Sequence, residues 1–157
     1  MKVQQFTNVY KSDELSKIIY LNFLELRNQP NIDYSVDSIK KLLVSPDLIG
    51  WFLLDNNDVI VGYVVGKKAG TSDGRFIYYI EYFYVIPELR NKGYGKKMML
   101  VCIKKMNELN IPHIMLTTKK IGIANALYQS LGFVVDPIVK INNNDYHILT
   151  YFMHAIW

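Results

Sequence analysis

The chain has 157 residues, of which 50% are hydrophobic and 13% aromatic; this allows one domain with a substantial core and is too short for two ordinary domains. We therefore predict a single domain over residues 1–157. The net charge of +4 favours an anionic partner, and the single cysteine excludes a disulfide framework and a zinc site built from several thiolates.

Targeting and nucleic-acid signals are weak throughout the sequence. The N-terminal stretch MKVQQFTNVYKSDE lacks the apolar run of a signal peptide, and no segment approaches the roughly 20 apolar residues of a membrane span. We expect a reducing, cytoplasmic setting without a membrane partner, and Cys102 as a buried structural thiol. The lysine pairs come without a basic tail, an RNP-type aromatic motif or metal-finger spacing, so no nucleic acid and no metal are predicted.

The first half of the chain reads as one strand, two helices and three strands. VQQFT suits an opening strand, and KSDELSKIIYLNFLELRNQP has apolar residues near helical spacing, with Ser12 or Asp13 as its cap and Pro30 as its end. SVDSIKKLLVSP predicts a second helix. The stretches IGWFLLD, VIVGYVVGKKA and RFIYYIEYFYVIP, separated by the turns NND and GTSDG, predict an antiparallel meander.

The second half returns to helical spacing after Gly95. GKKMMLVCIKKMNEL places an apolar stripe opposite its lysines, HIMLTT reads as a short buried strand, and IANALYQSLG predicts a last helix that ends at Gly132. FVV and YHILTYFMH suit a final pair of strands. This order predicts a mixed α/β fold whose sheet carries helices on both faces.

The turn ELRNKGYG, between a strand and a helix, has the features of an anion site. A helix N-terminus presents unpaired backbone N–H groups, and Arg90 and Lys96 add positive charge on either side. Gly93 and Gly95 either let a phosphate approach the backbone or supply a positive φ angle. The spacing excludes a P-loop and a dinucleotide-binding fingerprint, because Met98 stands where the fingerprint needs its third glycine.

The spacing Arg-x-x-Gly-x-Gly, joined about thirty residues later by ANALYQSLGF, resembles the GCN5-related N-acetyltransferase (GNAT) family, and the element order resembles that family as well. The resemblance implies a central mixed, mostly antiparallel sheet that splays apart at a bulge, where acetyl-CoA binds. It implies that the turn holds the CoA pyrophosphate and that the preceding strand pairs with the pantetheine arm. The residues predicted to bind acetyl-CoA are Phe83, Tyr84, Val85, Arg90, Asn91, Lys92, Gly93, Tyr94, Gly95, Lys96 and Asn125.

Transfer of an acetyl group to an amine needs a base, because an alkylammonium with a pKa of about 10.4 has no lone pair. Glu81 is our candidate, since it is a carboxylate among apolar and aromatic neighbours and shares strand parity with Phe83 and Val85. The resemblance of IEYFYV to the Glu-Asp-Phe-Phe-Val strand of polyamine acetyltransferases supports it. A place at a sheet edge, or a pair with Arg75, remains the alternative.

The departing thiolate needs a proton, and a phenol with a pKa of about 10 can supply it. Tyr128 stands where the family places its catalytic tyrosine, although any of the twelve tyrosines could simply be a packing residue. One departure is Ile121, at a position where the family often has an asparagine for pantetheine, so Asn125 is predicted as a substitute.

The predicted function is therefore an acetyl-CoA-dependent N-acetyltransferase, in which the amine attacks directly in a ternary complex. The alternative is an inactive CoA-binding regulatory or interaction module of the same fold. The acceptor is a small-molecule amine or a protein or peptide amine, and a homodimer is left open. Acidic residues in the helical region could attract a cationic acceptor, and surface positions are the alternative: Glu25, Asp33 and Asp37. The three histidines are expected to have ordinary packing or surface roles: His113, His147 and His154.

Overall fold

The computed structural model describes residues 1–6, 12–24 and 34–153. They form the mixed α/β fold that the sequence predicts. The elements, in chain order, are β1 (Lys2–Phe6), α1 (Ser12–Asn22), α2 (Val36–Leu43), β2 (Leu48–Leu54), β3 (Ile60–Gly70), β4 (Phe76–Val85), a 3₁₀ turn (Pro87–Leu89), α3 (Tyr94–Glu108), β5 (His113–Lys119), α4 (Ile123–Ser130), β6 (Val134–Val135) and β7 (Tyr146–Phe152).

The strands form one seven-stranded sheet in the described residues, in the order β1-β2-β3-β4-β5-β7-β6. All neighbours are antiparallel except β4 and β5, which run parallel. The predicted meander is confirmed, since β2, β3 and β4 are successive antiparallel neighbours. The crossover from β4 to β5 runs through the 3₁₀ turn and α3, and this places the N-terminus of α3 at the end of β4.

The sheet opens in its middle. On β3, Val65 pairs with Tyr82 and Gly66 pairs with Ile80, so Glu81 is the extra residue of a β-bulge in β4. Pairing between β4 and β5 ends at Ile80 and Leu116, although β4 continues to Val85 and β5 to Lys119. The two central strands therefore separate beyond the bulge.

The core lies on both faces of the sheet. One face packs against α3, whose residues Met98, Met99, Cys102 and Met106 are buried completely because they recur at helical spacing. The prediction of a buried thiol is confirmed, and burial raises the pKa of Cys102 well above its usual range. The other face packs against α1 and α2 in a second cluster of buried residues.

The first helix is shorter than its sequence pattern suggests. It ends at Asn22, and Leu21 and Leu24 are 65% and 41% exposed, so they do not belong to the core. The predicted end at Pro30 lies outside the described residues. The second helix begins as predicted, because the Ser35 hydroxyl accepts a hydrogen bond from the Ser38 N–H at 3.1 Å. Among the described helices, none combines the length and apolar character needed to cross a membrane.

Candidate active site

The turn from Arg90 to Lys96 presents backbone N–H groups at the start of α3. In the first turn of α3, the Lys97 N–H donates a backbone hydrogen bond to the Gly93 carbonyl at 3.0 Å. The N–H groups of Tyr94, Gly95 and Lys96 precede it and have no carbonyl of their own helix to bind. Together with the positive end of the helix dipole, they form a site that favours an anion.

The two glycines of this turn serve different purposes. Gly93 has a φ angle of +86°, which side-chain-bearing residues rarely adopt, and a Cβ there would meet nothing within 4 Å. Gly95 lies close to neighbouring side chains, because a Cβ there would lie 3.3 Å from the Phe83 ring and 3.4 Å from Leu127. Gly93 therefore shapes the turn and leaves open space over the amides, while Gly95 lets α3 pack against its neighbours.

A cavity of about 430 Å³ lies beside this turn. Nine of the eleven residues predicted to bind acetyl-CoA line it, and Lys92 and Asn125 do not. The nine are Phe83, Tyr84, Val85, Arg90, Asn91, Gly93, Tyr94, Gly95 and Lys96. Lys92 is exposed and does not line this cavity. We call this the first cavity; the turn and the end of β4 form a large part of its wall.

Arg90 is held at the mouth of the first cavity by the end of β4. Its Nε donates a hydrogen bond to the Val85 carbonyl at 2.9 Å, and its guanidinium carbon lies 5.3 Å from the centre of the Tyr84 ring. The hydrogen bond and the cation–π contact fix a positive charge beside the anion-binding amides.

The last residues of β4 turn backbone groups toward the opening of the sheet. The Ile86 N–H donates to the Val61 carbonyl of β3 at 3.0 Å. Because hydrogen-bonded pairs alternate along antiparallel strands, the backbone groups of Phe83 and Val85 point away from β3. The strand β5 has separated from β4 at this level, so an extended ligand can pair with β4 there.

A second cavity of about 250 Å³ lies in the opening between β4 and β5. Both predicted catalytic residues, Glu81 and Tyr128, line it. The two cavities share Phe23, Phe83, Ile123 and Ala124, so they adjoin. The opening thus connects the anion site at the start of α3 with the two side chains predicted to move protons.

Glu81 occupies the bulge, on the wall of the second cavity. It is exposed to solvent, although protein atoms surround it on several sides, as expected for a group in a cleft. Desolvation raises the pKa of Glu81 above its usual value, and the positive charge of Lys67 opposes this shift. No hydrogen bond or ion pair joins Glu81 to the residues that the structure describes.

Arg75, the alternative partner of Glu81, has other partners. Its guanidinium forms hydrogen bonds of 2.8 Å and 3.0 Å with the Asp136 carboxylate and one of 2.8 Å with Asp73.

The bulge changes the strand parity of β4, which the sequence analysis used to place Glu81 on one face with Phe83 and Val85. Ile80 and Phe83 both pack in the cluster that includes α3, whereas the intervening Tyr82 packs against α1 and α2.

Tyr128 is 6% exposed and lies on α4. Its ring packs against Phe83 and Phe133, with ring centres 6.0 Å and 5.7 Å away. No residue in the described part of the chain forms a hydrogen bond with its hydroxyl. Burial raises the pKa of Tyr128 well above its usual value, so the phenol keeps its proton at neutral pH.

Asn125 lines the second cavity, but its amide already has protein partners. Nδ2 donates to the Lys120 carbonyl at 2.9 Å, and Oδ1 lies 2.7 Å from Nε2 of His147. Ile121, where the family often has asparagine, is 90% exposed and lines the same cavity.

Of the weaker candidates that the structure describes, Asp37 and His113 line neither cavity, whereas His147 contacts Asn125 on the wall of the second cavity. Asp37 is exposed in the first turn of α2, and the ring of His113 packs against Phe152. Glu25, Asp33 and His154 lie outside the described residues. No group of three acidic, histidine or cysteine residues suited to a metal ion occurs in the described ranges.

Sequence reasoning did not identify two residues at the end of α1, Asn22 and Phe23. Asn22 lines the first cavity and Phe23 lines both. No motif marks them, because tertiary packing alone brings the end of α1 over the opening. Lys67 was also missed. The hairpin register could have indicated it, because Lys67 pairs with Tyr79, two residues before Glu81.

Comparisons with known proteins agree with this geometry. The sequence profile of the "Acetyltransferase (GNAT) family" matches residues 12–133. The "Uncharacterized N-acetyltransferase YjgM" of Escherichia coli K12 is 26% identical over 102 residues, which are 64% of this chain and 60% of that protein. The match therefore spans about three fifths of the relative's length.

Solved structures share the fold. The NatC complex bound to Gag peptide and CoA contains a chain with a TM-score of 0.72 and 21% identity, and the alignment covers 98% of this chain and 99% of that one. Arabidopsis thaliana NAA60 in complex with acetyl-CoA aligns with a TM-score of 0.67 and 16% identity, covering 96% of this chain and 98% of that one. The profile covers most of the chain, and the chain belongs to the GNAT acetyltransferase family.

Proposed function

We propose that residues 1–157 act as one N-acetyltransferase domain, which transfers an acetyl group from acetyl-CoA to a primary amine by direct attack in a ternary complex. The observation that carries this proposal is the junction of the two cavities. The anion-binding turn lines one, and Glu81 and Tyr128 line the other. A domain that only bound CoA would need the first cavity but neither of these side chains.

The residues of the first cavity suit acetyl-CoA as co-substrate. The amides of Tyr94, Gly95 and Lys96 would hold the pyrophosphate, with Arg90 as a fixed positive charge beside them. The open space at Gly93 leaves room for a phosphate oxygen near the backbone. The backbone of β4 from Phe83 to Val85 would pair with the pantetheine arm and place the thioester in the opening of the sheet.

Glu81 would accept the proton that the acceptor ammonium must lose, directly or through a water chain. Its raised pKa makes it a stronger base than an ordinary carboxylate, and the positive charge of Lys67 limits that rise. The freed nitrogen lone pair then attacks the thioester carbonyl carbon and forms the C–N bond. A backbone N–H near Val85 would stabilise the negative charge on the carbonyl oxygen.

Tyr128 would donate its phenolic proton to the sulfur as the C–S bond breaks. The thiol that forms has a pKa of about 8.5, so protonation favours its departure. Glu81 takes the first proton of the ammonium, and the nitrogen loses a second proton as the tetrahedral intermediate collapses to the amide. That second proton reprotonates the Tyr128 phenolate through solvent, while Glu81 releases its own to solvent, so the net products are the amide, the CoA thiol and one proton. Holding the two substrates in one opening contributes to the rate in its own right.

The acceptor class is open to small amines and to peptide or protein amines. The direct experiment is a panel of polyamines, aminoglycosides, amino acids and peptides with free N-termini or lysines, assayed by release of the CoA thiol. We expect amine-dependent thiol release above the hydrolysis rate for at least one class. Tight acetyl-CoA binding without acetylation of any acceptor would instead indicate a binding module.

A further inference from the structure

Asn22 lines the first cavity together with residues of the acetyl-CoA motif, although it belongs to a different element. It is the last residue of α1, and it faces a cavity that Tyr84 and Val85 of β4 also line. Asn22 is therefore placed to contact a ligand bound in this cavity.

The side chain of Asn22 is oriented by a buried tyrosine. Tyr63 on β3 is 1% exposed, and its hydroxyl donates a hydrogen bond to Oδ1 of Asn22 at 2.7 Å. A buried phenol needs an acceptor, and no other hydrogen bond of the Tyr63 hydroxyl occurs within the described residues. The ring of Tyr63 is itself held by stacking on Tyr84, with ring centres 5.7 Å apart.

This bond determines which half of the amide is available. With Oδ1 turned toward Tyr63, the Nδ2 group points the other way, and no described residue accepts a hydrogen bond from it. The Asn22 amide is thus a hydrogen-bond donor whose direction is set by Tyr63. A donor on this wall suits a carbonyl or hydroxyl oxygen.

The pantetheine arm carries such oxygens in its two amides and its hydroxyl. We propose that Asn22 is a cofactor-binding residue that donates from Nδ2 to the pantetheine arm, and that Tyr63 is its positioning residue. This proposal rests on the proposed function, because it takes acetyl-CoA as the ligand of the first cavity. Ile121, where the family often has an asparagine, lines the adjoining second cavity and has no side-chain amide, whereas Asn22 offers one from the first cavity.

The test compares the affinity for CoA, measured by isothermal titration, in three variants. Asn22→Ala removes the donor, and we expect CoA to bind about two- to tenfold more weakly, as for one hydrogen bond. Asn22→Asp can still accept from Tyr63 but cannot donate, so it should bind at least as weakly as Asn22→Ala. Asn107→Ala, on an exposed part of α3 outside both cavities, should leave the affinity unchanged.

Tyr63→Phe tests the positioning role. It should weaken CoA binding in the wild-type background and have no further effect in Asn22→Ala, because its influence acts through the amide. A Tyr63 that is merely structural would lower the melting temperature and leave the affinity unchanged in both backgrounds. The melting temperature of each variant shows that it is folded.

The outcomes separate this inference from the proposed function. If the wild-type protein fails to bind CoA, the proposed function itself is wrong. If the wild type binds CoA and Asn22→Ala binds it equally well, only the inference is wrong. A raised KM for the acceptor with unchanged CoA affinity would also overturn it, because it would place Asn22 in the acceptor site.

Discussion

Replacing Tyr128 by phenylalanine separates a general acid from a packing residue, because it removes one oxygen and keeps the ring. The ring contacts with Phe83 and Phe133 remain. The hydroxyl has no hydrogen-bond partner among the described residues, so the free energy of unfolding should fall by less than the roughly 0.5–1.5 kcal/mol of a typical hydrogen bond. In a chain of this size that is a few degrees in melting temperature at most. Turnover should fall by about 10²–10⁴ if the hydroxyl is the proton donor.

Tyr78 provides the matched control. It is fully buried, its hydroxyl donates to the Ile49 carbonyl, and it lines neither of the two cavities. Tyr78→Phe should therefore lose about 1–3 kcal/mol of stability, because it leaves a buried carbonyl without its donor, and should keep its turnover. The assay is CoA thiol release at saturating acetyl-CoA, with affinity and melting temperature measured separately. Near-normal turnover in Tyr128→Phe at every pH from about 6 to 9 would refute the role of Tyr128 as acid.

Three further predictions follow from the described contacts. Desolvation by the surrounding cleft raises the pKa of Glu81 in the folded protein, so its stabilising contribution is present below the unfolded pKa of about 4.3 and is lost as pH rises through the folded pKa. Glu81→Gln should therefore have a higher melting temperature than wild type at neutral pH and the same melting temperature in acid. Its turnover should be low and should partly return as the pH rises. Equal melting temperatures of variant and wild type at both pH values would contradict the predicted effect on stability. Gly93→Val and Gly74→Val both place a side chain at φ +86° with open space around it, so both should lose a similar stability of about 1–2 kcal/mol. Only Gly93→Val should lose the rise in melting temperature caused by acetyl-CoA, and an equal rise in both variants would remove Gly93 from the anion site. Burial alone would raise the pKa of Asp136, but its bonds to Arg75 and other donors hold it well below the usual range, so the stability it contributes is present above about pH 4 and is lost in acid. Arg75→Met leaves this carboxylate buried and unpaired, so urea unfolding should show a loss of about 3–5 kcal/mol at neutral pH that shrinks in acid; a pH-independent loss would contradict the ion-pair explanation.

Most of the residues that the sequence predicts to bind acetyl-CoA line one cavity, because the signals that mark them are local. The glycines and flanking charges of the turn occupy a strand-to-helix connection whose position follows from periodicity alone. The family motif then placed Tyr128 on α4 and Glu81 on β4, and both line one cavity. The meander also followed from its turn residues.

The rest of the site depends on contacts between residues far apart in the chain. The family resemblance implied a bulge at the opening of the sheet, but no residue signals that the insertion falls at Glu81, where it reverses the side-chain parity of β4. The sequence analysis assigned no role to Asp136, which is fully buried and paired with Arg75, 61 residues away in the chain. Asn22 ends an amphipathic helix that carries no motif, and Tyr63, whose hydroxyl contacts its amide, is 41 residues away in the chain.

The central claim is that the acetyl group passes directly from acetyl-CoA to the amine in the opening between β4 and β5. Its most direct test is initial-rate kinetics over both substrates, combined with incubation of the protein with acetyl-labelled CoA in the absence of acceptor. The account predicts intersecting double-reciprocal lines and no labelled protein, since the only cysteine, Cys102, is fully buried. Parallel lines together with a labelled side chain would show that the acetyl group first rests on the protein, and would contradict direct transfer.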